Sequence, residues 1–403
     1  MIEGSLEEQA EFIDGLLGID PHSGDDRRTA TNLVRGYGTH DNLAGDVSMP
    51  IHMSSTFAHP CFDGSTGYMY SRCGNPTRLE LENTIALLEG GRKSWAFSSG
   101  MAAIAGLLKL FGEGDHLLVS DDLYGGTYRL FSDVYARYGL EFDYVNFTDL
   151  SAVESALRPN TRALFVETPT NPTMKVVDLA ATAEMAHALN LIFVVDNTLM
   201  TPYFQRPFDF GADIIVHSGT KYLCGHNDVT AGFLVVRDER FLEDFFTITM
   251  SEGALLSPAD SWLMLRSLKT LGVRLDRQQD NALQIAEFLK THPHVEDVYY
   301  VGDPDHPAFD LSRRQTSGFG AMVSIRVSSP ELVRSSLGKL SVISYAESLG
   351  GVESLMTFPL MQTHGAMAPE LREKLGIDER LLRLSVGIED VRDLIADLDQ
   401  AFA

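Results

Sequence analysis

Polar residues that could do chemistry directly follow several apolar segments of this 403-residue chain. Lys221 follows the segment DIIVHS, Asp196 ends the segment LIFVVD, and Tyr124 comes soon after HLLVS. A lysine amine can form a Schiff base with a carbonyl cofactor. A carboxylate can stabilise a protonated ring nitrogen, and a tyrosine offers a flat face on which a ring can stack. These residue types together predict a site for a cationic aromatic cofactor.

A phosphate site is predicted beside this lysine. The sequence SSGM at 98–101 opens a helical pattern, where free backbone N–H groups and the positive end of the helix dipole attract an anion. Ser218 and Thr220 could add hydroxyl donors. Taken singly, the lysine could be a solvated surface charge and Asp196 a helix N-cap. The convergence of several segments favours one phosphorylated ligand.

These residues can form one site only if the strands that precede them end at the same edge of a sheet. The segments KSWAF, HLLVS, LEFDYV, RALFVE, LIFVVD, DIIVHS and AGFLVV alternate with helical patterns, among them GGTYRLFSDVYARYG, which predicts one helix. Apolar strands separated by helices predict an α/β fold with a mostly parallel sheet that is covered on both faces. Ligands of such sheets bind beyond the carboxyl ends of the strands.

The two ends of the chain have sequence patterns that differ from that of the central α/β segment. Residues 5–36 show an acidic helical pattern, and residues 37–76 are irregular, as in segments that line a site or wrap a neighbour. After about residue 258, long helical patterns and the strand candidates GAMVSIRV and LLRLSV predict a smaller α+β domain. The expected domains are therefore an N-terminal arm (1–70), a large α/β domain (71–257) and a C-terminal domain (258–403).

Composition excludes several classes of protein. The chain has 32 Lys and Arg residues against 56 Asp and Glu, a formal charge of −24, which disfavours a nucleic-acid partner. Neither a membrane-spanning run nor a secretion signal is apparent, so we expect no membrane partner and a cytoplasmic location. Three cysteines without a CxxC motif suit a reducing compartment, and we expect no metal.

Several motifs together resemble one enzyme family. They are YSRCGNPTRLELE, SSGMAAI, DDLYGGTYR, ETPTNP, VVDNTLMTPYF, HSGTKYLCGHNDVTAG, AESLGGVESL and RLSVGIED. In this order they are similar to the pyridoxal-phosphate-dependent transsulfuration enzymes, from about residue 45 to the C-terminus. That family comprises cystathionine γ-synthase, the cystathionine β- and γ-lyases and methionine γ-lyase. The resemblance implies the fold-type I transferase fold, pyridoxal 5'-phosphate as cofactor, and a homotetramer built from two catalytic dimers.

The resemblance also implies a cofactor site. Lys221 would hold pyridoxal phosphate covalently and move protons, and Asp196 would contact the pyridinium nitrogen. Tyr124 would stack on the ring, and Asn171 would contact its phenolic oxygen. The phosphate would be bound by Gly100, Met101, Ser218 and Thr220 of one subunit, and by Tyr70 and Arg72 from the neighbouring subunit.

For the substrate, the resemblance implies that Arg383 binds the α-carboxylate beside Ser348. Without that context, Arg72 and Arg383 could be ordinary surface ion-pair residues. Glu347 matches the acidic residue of enzymes that act on cystathionine, where it can meet the distal ammonium group. Met69 stands where several γ-lyases have a second acid.

These features favour a lyase that cleaves the carbon–sulfur bond of cystathionine or a related amino acid, by α,β- or α,γ-elimination. Cystathionine γ-synthase, which joins cysteine to an O-acyl-homoserine, is the alternative. Methionine γ-lyase is disfavoured, because Gly126 stands where those enzymes carry a cysteine. A nucleotide-binding protein is disfavoured because neither GxGxxG after the first strand nor GxxxxGK[ST] is present.

Overall fold

The computed structural model describes residues 27–38, 45–365 and 367–403. A seven-stranded sheet forms its centre, in the order β1-β7-β6-β5-β4-β2-β3. Neighbouring strands from β3 to β6 are parallel, whereas β7 runs antiparallel to β6 and β1. The strands are Lys93–Phe97 (β1), His116–Ser120 (β2), Glu141–Val145 (β3), Thr161–Glu167 (β4), Ile192–Asp196 (β5), Ile214–Ser218 (β6) and Gly232–Val236 (β7).

Both faces of this sheet are buried, as the continuous apolar segments predict. Alternate residues of β4 enter different cores: Leu164 and Val166 belong to one apolar cluster, and Phe165 belongs to another. The edge strand β3 differs, since none of its residues is fully buried. Because the strands β2 to β6 are parallel, the polar residues that follow them all lie at the same edge of the sheet.

A second, smaller sheet lies in the C-terminal part of the chain. Its strands follow the order β10-β11-β12-β9-β8 and are antiparallel except for the β10–β11 pair. They are Val295–Tyr299 (β8), Met322–Val327 (β9), Ser344–Tyr345 (β10), Leu355–Thr357 (β11) and Leu381–Ser385 (β12). The sequence predicted β9 and β12, but β10 and β11 are too short for an apolar pattern to indicate them. The predicted fold class is confirmed, whereas the domain boundaries remain predictions.

Helices cover the sheets and begin at recognisable capping residues. Asn75 accepts hydrogen bonds from the N–H groups of Thr77 and Arg78, and Pro76 occupies the first helical position. The α-helices are Thr29–Arg35 (α1), Pro76–Glu89 (α2), Gly100–Leu108 (α3), Gly125–Arg129 (α4), Leu150–Ser155 (α5), Leu179–Ala188 (α6), Thr201–Phe204 (α7), Leu242–Glu252 (α8), Pro258–Leu268 (α9), Leu271–Lys290 (α10), Phe309–Gln315 (α11), Pro330–Leu337 (α12), Pro369–Leu375 (α13) and Val391–Phe402 (α14).

One helix differs from its prediction. The segment expected to form a single helix after Tyr124 is α-helical only over α4, continues as a π-helix over Leu130–Val134, and ends as a 3-10 helix over Tyr135–Tyr138. Gly139 then ends it in the left-handed conformation.

The described residues include only part of the predicted N-terminal arm. Residues 1–26 and 39–44 lie outside the described ranges. Of the predicted acidic helical segment, the described residues contain the helix α1. From residue 45 to Asn75 the chain is irregular, apart from one bridge between Thr56 and Tyr70. In the described parts of the chain, no helix combines the length and apolar character needed to cross a bilayer.

Candidate active site

A cavity of about 320 Å³ lies beyond the carboxyl ends of the parallel strands. Residues from the second sheet close its other side, so both sheets contribute to one site. The cavity wall brings together the predicted residues Gly100, Met101, Tyr124, Asn171, Asp196, Ser218, Thr220, Lys221, Glu347, Ser348 and Arg383.

Tyr70 and Arg72 are not among the residues that line this cavity. Both are exposed, and the Arg72 guanidinium lies 5.6 Å from the centre of the Tyr70 ring. The resemblance assigns them to the site of a neighbouring subunit, and that assignment remains a prediction.

Lys221 projects its amine into the cavity from the turn that follows β6. Its Nζ donates a hydrogen bond of 2.9 Å to Oγ of Ser348. Burial lowers the pKa of Lys221 to about 8, and the nearby positive charge of Arg383 also lowers it, while Glu347 acts in the opposite direction. The amine is therefore far easier to deprotonate than an exposed lysine, as a Schiff-base former or general base requires.

Asp196 lies at the end of β5, and Thr198 holds one of its oxygens through a backbone N–H at 3.0 Å. In the sheet it pairs with Glu167, the last residue of β4. Burial raises the pKa of Glu167 well above its ordinary value, and the charge of Asp196 raises it further. Burial also raises the pKa of Asp196, but hydrogen bonds from Thr198 oppose that rise. We assign the proton of this pair to Glu167 and the charge to Asp196.

The start of α3 forms a cradle for an anion. Ser99 caps the helix by accepting from the N–H of Ala102 at 3.0 Å, and the first N–H groups of a helix have no intrahelical acceptor. A Cβ atom at Gly100 would lie 2.9 Å from Cβ of Ser218, so only glycine lets β6 approach this closely. Thr220 lies nearby, although its hydroxyl is already hydrogen-bonded to the backbone of Ala231.

Arg383 is the deepest charged group in the cavity wall, with 1% of its surface exposed. Its Nη1 donates to Oδ1 of Asn171 at 2.9 Å, and its Nη2 donates to the carbonyl oxygen of Ser348 and to Oγ1 of Thr357. Nε is buried without an acceptor among the described residues. Burial lowers the pKa of Arg383 to about 10, so it stays charged at neutral pH. The surface ion-pair interpretation of Arg383 is therefore wrong.

Ser348 contributes both its side chain and its backbone to the cavity. It has a φ of 89°, which is unfavourable for a residue other than glycine. This conformation directs Oγ to Lys221 while its carbonyl oxygen accepts from Arg383. The preceding residue, Glu347, is exposed at the cavity wall, where it can meet a positively charged end of a ligand.

These residues fit pyridoxal phosphate on chemical grounds. A carboxylate lies at the end of β5, a helix N-terminus lies beside Ser218, and the amine of Lys221, whose pKa is lowered, lines the same cavity. The ring of Tyr124 is 41% exposed and available for stacking. Arg383 supplies a guanidinium group at the cavity wall, which is suited to a carboxylate. Oδ1 of Asn171 is engaged by Arg383, so its amide nitrogen is the atom free to meet a ring oxygen.

The sequence assigned no role to several residues of the cavity wall, among them Thr127, Glu167, Thr198, Gln362 and Thr363. The ends of the apolar segments placed Glu167 and Thr198 at the same edge of the sheet as Asp196, but nothing in the sequence indicated what they do. Gln362 and Thr363 follow no strand pattern and carried no signal. Within the described ranges, no group of three or more His, Cys, Asp or Glu residues is arranged to hold a metal ion.

Comparison with known proteins agrees with this geometry. Residues 30–403 match the family described as Cys/Met metabolism PLP-dependent enzyme. The chain is 46% identical over 371 residues to the cystathionine gamma-lyase of Bacillus subtilis (strain 168), a match that covers 92% of this chain and 98% of that relative. It is also 46% identical over 371 residues to the cystathionine gamma-synthase/O-acetylhomoserine (thiol)-lyase of the same organism, covering 92% of this chain and 95% of the relative.

A solved structure shows the same fold. The crystal structure of cystathionine gamma-lyase from Lactobacillus plantarum, complexed with L-serine, superposes with a TM-score of 0.90 at 43% identity. The match covers 93% of this chain and 98% of that structure.

Proposed function

Since the chain belongs to the Cys/Met metabolism PLP-dependent enzyme family, we propose that it is a cystathionine lyase, which cleaves the carbon–sulfur bond of cystathionine or a related thioether amino acid. Its cofactor is pyridoxal 5'-phosphate, and its substrate is a small amino acid. The observation that carries the proposal is the buried amine of Lys221, held by Ser348 beside the charged group of Arg383.

The cofactor supplies an electron sink, which makes the α-proton of a bound amino acid acidic. In the proposed site, Asp196 is the counter-ion of the ring nitrogen, Tyr124 covers the ring, and the start of α3 binds the phosphate. These groups keep the ring aligned and surrounded by fixed dipoles.

The remaining residues act on the substrate. Arg383 binds the α-carboxylate, which orients the α-proton towards Lys221. Nζ of Lys221, with its lowered pKa, takes up that proton as a base and returns a proton as an acid. Ser348 holds Nζ in position through its hydroxyl group.

Glu347 is the residue that supports cystathionine as the substrate. Cystathionine carries a second ammonium group at its distal end, and a carboxylate at the cavity wall can pair with it. A thioether without that ammonium group would leave Glu347 unpaired. We therefore expect cystathionine to be preferred over methionine.

Cystathionine γ-synthase is the second candidate, since a relative with that activity in its name is as similar to this chain as the γ-lyase is. The two reactions share the first proton transfer and the same carboxylate clamp. They differ in their later steps, because the synthase must admit cysteine as a second substrate.

Product identification separates these reactions. We expect purified protein supplied with cystathionine alone to release pyruvate or 2-oxobutyrate, depending on whether the bond to the β- or the γ-carbon breaks. Lys221→Ala should abolish the release and remove the visible absorption band of the bound cofactor. Cystathionine formed from cysteine and O-acyl-homoserine, with no turnover of cystathionine itself, would show that the proposed lyase activity is wrong.

We also propose that the enzyme is a homotetramer composed of two catalytic dimers, with Tyr70 and Arg72 reaching the neighbouring site, and that it works in the cytoplasm. Two observations support this arrangement: both residues are exposed, and Phe62 in the same irregular segment is fully exposed. All three cysteines are free, which suits a reducing compartment. Sedimentation analysis of the loaded protein tests the oligomeric state.

A further inference from the structure

His364 is a buried histidine beside the cavity, and the proposed mechanism gives it no role. It lies between β11 and α13 with no exposed surface, and its backbone N–H donates to the carbonyl oxygen of Pro359 at 2.9 Å. A buried imidazole is unfavourable unless its ring nitrogens find partners. Its contacts therefore indicate what it holds in place.

The ring of His364 connects two segments of the cavity wall. Its Nε2 lies 3.0 Å from the carbonyl oxygen of Asn171, and its Nδ1 lies 2.7 Å from Oγ1 of Thr363. A carbonyl oxygen can only accept a hydrogen bond, so Nε2 carries the proton and donates to Asn171. In the neutral ring Nδ1 then accepts from the hydroxyl group of Thr363.

The groups around the ring keep it neutral. Burial lowers the pKa of His364 to about 4, and the positive charge of Arg383 also lowers it. The charge of Asp122 and the backbone groups of Asn171 and Leu123 act in the opposite direction without restoring the ordinary value. The direction of both hydrogen bonds is thus constant at neutral pH.

Asn171 transmits this constraint to the carboxylate clamp. Its carbonyl oxygen accepts from His364, while its side-chain Oδ1 accepts from Nη1 of Arg383 at 2.9 Å. Because both oxygens belong to one residue, fixing its peptide group limits where its amide group can lie. His364 therefore acts on Arg383 through Asn171.

Close packing fixes the segment that carries His364. A Cβ atom on Gly125 would lie 2.1 Å from the carbonyl oxygen of Thr363 and 3.3 Å from Cα of His364. The segment thus rests on the first turn of α4, directly after Tyr124. This contact leaves the ring little freedom to move away from Asn171.

We propose that His364 is a positioning residue for the substrate carboxylate: its Nε2–H fixes Asn171, and Asn171 holds the Arg383 guanidinium in the orientation that binds the carboxylate. The inference rests on the proposed function, in which Arg383 is the carboxylate clamp. It concerns binding of the carboxylate and not the proton transfer, because the ring of His364 is hydrogen-bonded to Asn171 and Thr363 and not to Lys221.

The test uses three variants of the enzyme loaded with pyridoxal phosphate. In His364→Gln, the amide nitrogen can replace Nε2 as the donor to Asn171. In His364→Asn, the shorter amide reaches only the position of Nδ1, and His364→Ala has no donor. His187→Ala serves as the control, because His187 is a half-exposed histidine that pairs with Asp213 at 3.2 Å, away from the cavity.

Two probe ligands separate a carboxylate effect from general damage. Glycine presents an amine and a carboxylate, whereas methylamine presents the amine alone, and binding of either is measured by the change in the visible spectrum of the cofactor. We expect His364→Ala and His364→Asn to weaken glycine binding about tenfold or more and methylamine binding less than about twofold, since one positioning hydrogen bond is lost. His364→Gln should bind glycine within about threefold of the wild type, by the same reasoning.

Three outcomes would overturn the proposal: unchanged glycine binding in His364→Ala, equal losses for glycine and methylamine, or equal behaviour of the Gln and Asn variants. If His364→Ala does not fold, the comparison of Gln with Asn decides. A wild-type protein that binds glycine but cleaves no thioether would contradict the proposed function, and the same binding comparison would still test the role of His364.

Discussion

Two carboxyl groups lie side by side on β4 and β5, and their environments give them different charges. Asp196 receives hydrogen bonds from Thr198, whereas Glu167 accepts one from the backbone N–H of Tyr124 at 3.1 Å. Two adjacent buried carboxylates cannot both be ionised at low cost. Since burial and the charge of Asp196 raise the pKa of Glu167 well above its ordinary value, Glu167 is the neutral partner. The protonated ring of the cofactor would then face a single negative charge, that of Asp196.

This assignment predicts opposite results for two matched amide substitutions. Asp196→Asn removes the charge behind the ring, so we expect kcat to fall by about 100-fold or more. Glu167→Gln replaces a neutral acid by a neutral amide that still accepts a hydrogen bond from the N–H of Tyr124. Because that hydrogen bond is retained, we expect kcat to change less than about fivefold. Steady-state kinetics on both variants measure the difference. Equal losses in the two variants would contradict the assignment of the proton.

The pH dependence of stability checks the same assignment. A carboxyl group whose pKa is raised on folding contributes stability below its ordinary value of 4.5, and that contribution is lost as pH rises through the raised pKa. The Glu167→Gln variant has no titratable group at this position, so it does not lose this contribution as pH rises. We therefore expect its melting temperature to exceed that of the wild type by a margin that grows from pH 5 to pH 9. A constant margin would mean that folding does not raise the pKa of Glu167.

At the scale of elements, the phosphate cradle depends on how closely β7 packs against the start of α3. A Cβ atom at Gly232 would lie 2.1 Å from the carbonyl oxygen of Ser99 and 2.7 Å from Cα of Gly100. These contacts are with backbone atoms, which cannot rotate away as a side chain can. Adding a single methyl group must therefore separate the strand from the helix.

We expect Gly232→Ala to destabilise the protein by about 1–3 kcal/mol, the usual cost of overpacking, and to weaken cofactor binding because the helix N-terminus moves. Gly338→Ala is the matched control, since the nearest atom would be 3.7 Å from the added Cβ, and the change should be nearly neutral. Chemical denaturation and cofactor titration measure both effects. Normal cofactor affinity in a destabilised Gly232→Ala protein would show that the cradle tolerates the displacement.

The elements also show which parts of the site a sequence can predict. Lys221, Asp196 and Tyr124 follow apolar strands of one parallel sheet, so local patterns were sufficient to bring them together. Arg383 lies within a strand of the second sheet, and only the resemblance to a known family linked it to the same cavity. The role of His364 was not predictable, because its segment has no periodic pattern and its partner Asn171 is distant in sequence.

At the scale of the whole molecule, the main open prediction is that each active site is shared between two chains. Among the described residues, the phosphate cradle of one chain contains backbone N–H groups and hydroxyls but no arginine, since Arg383 is engaged elsewhere in the cavity wall. Arg72 is exposed, outside the cavity of its own chain. An arginine from a neighbouring copy would complete the charge balance of a bound phosphate.

Mixing two inactive variants tests this arrangement. Arg72→Ala lacks the residue given to the neighbour, and Lys221→Ala lacks the amine of its own site. If Arg72 acts across the interface, a hybrid of the two chains has one complete site, and random mixing after reversible unfolding should restore about a quarter of the wild-type sites in a two-fold symmetric dimer. If Arg72 acts within its own chain, no hybrid site is complete and activity stays at the level of the separate variants. Thioether cleavage measured before and after mixing therefore distinguishes a shared site from a self-contained one.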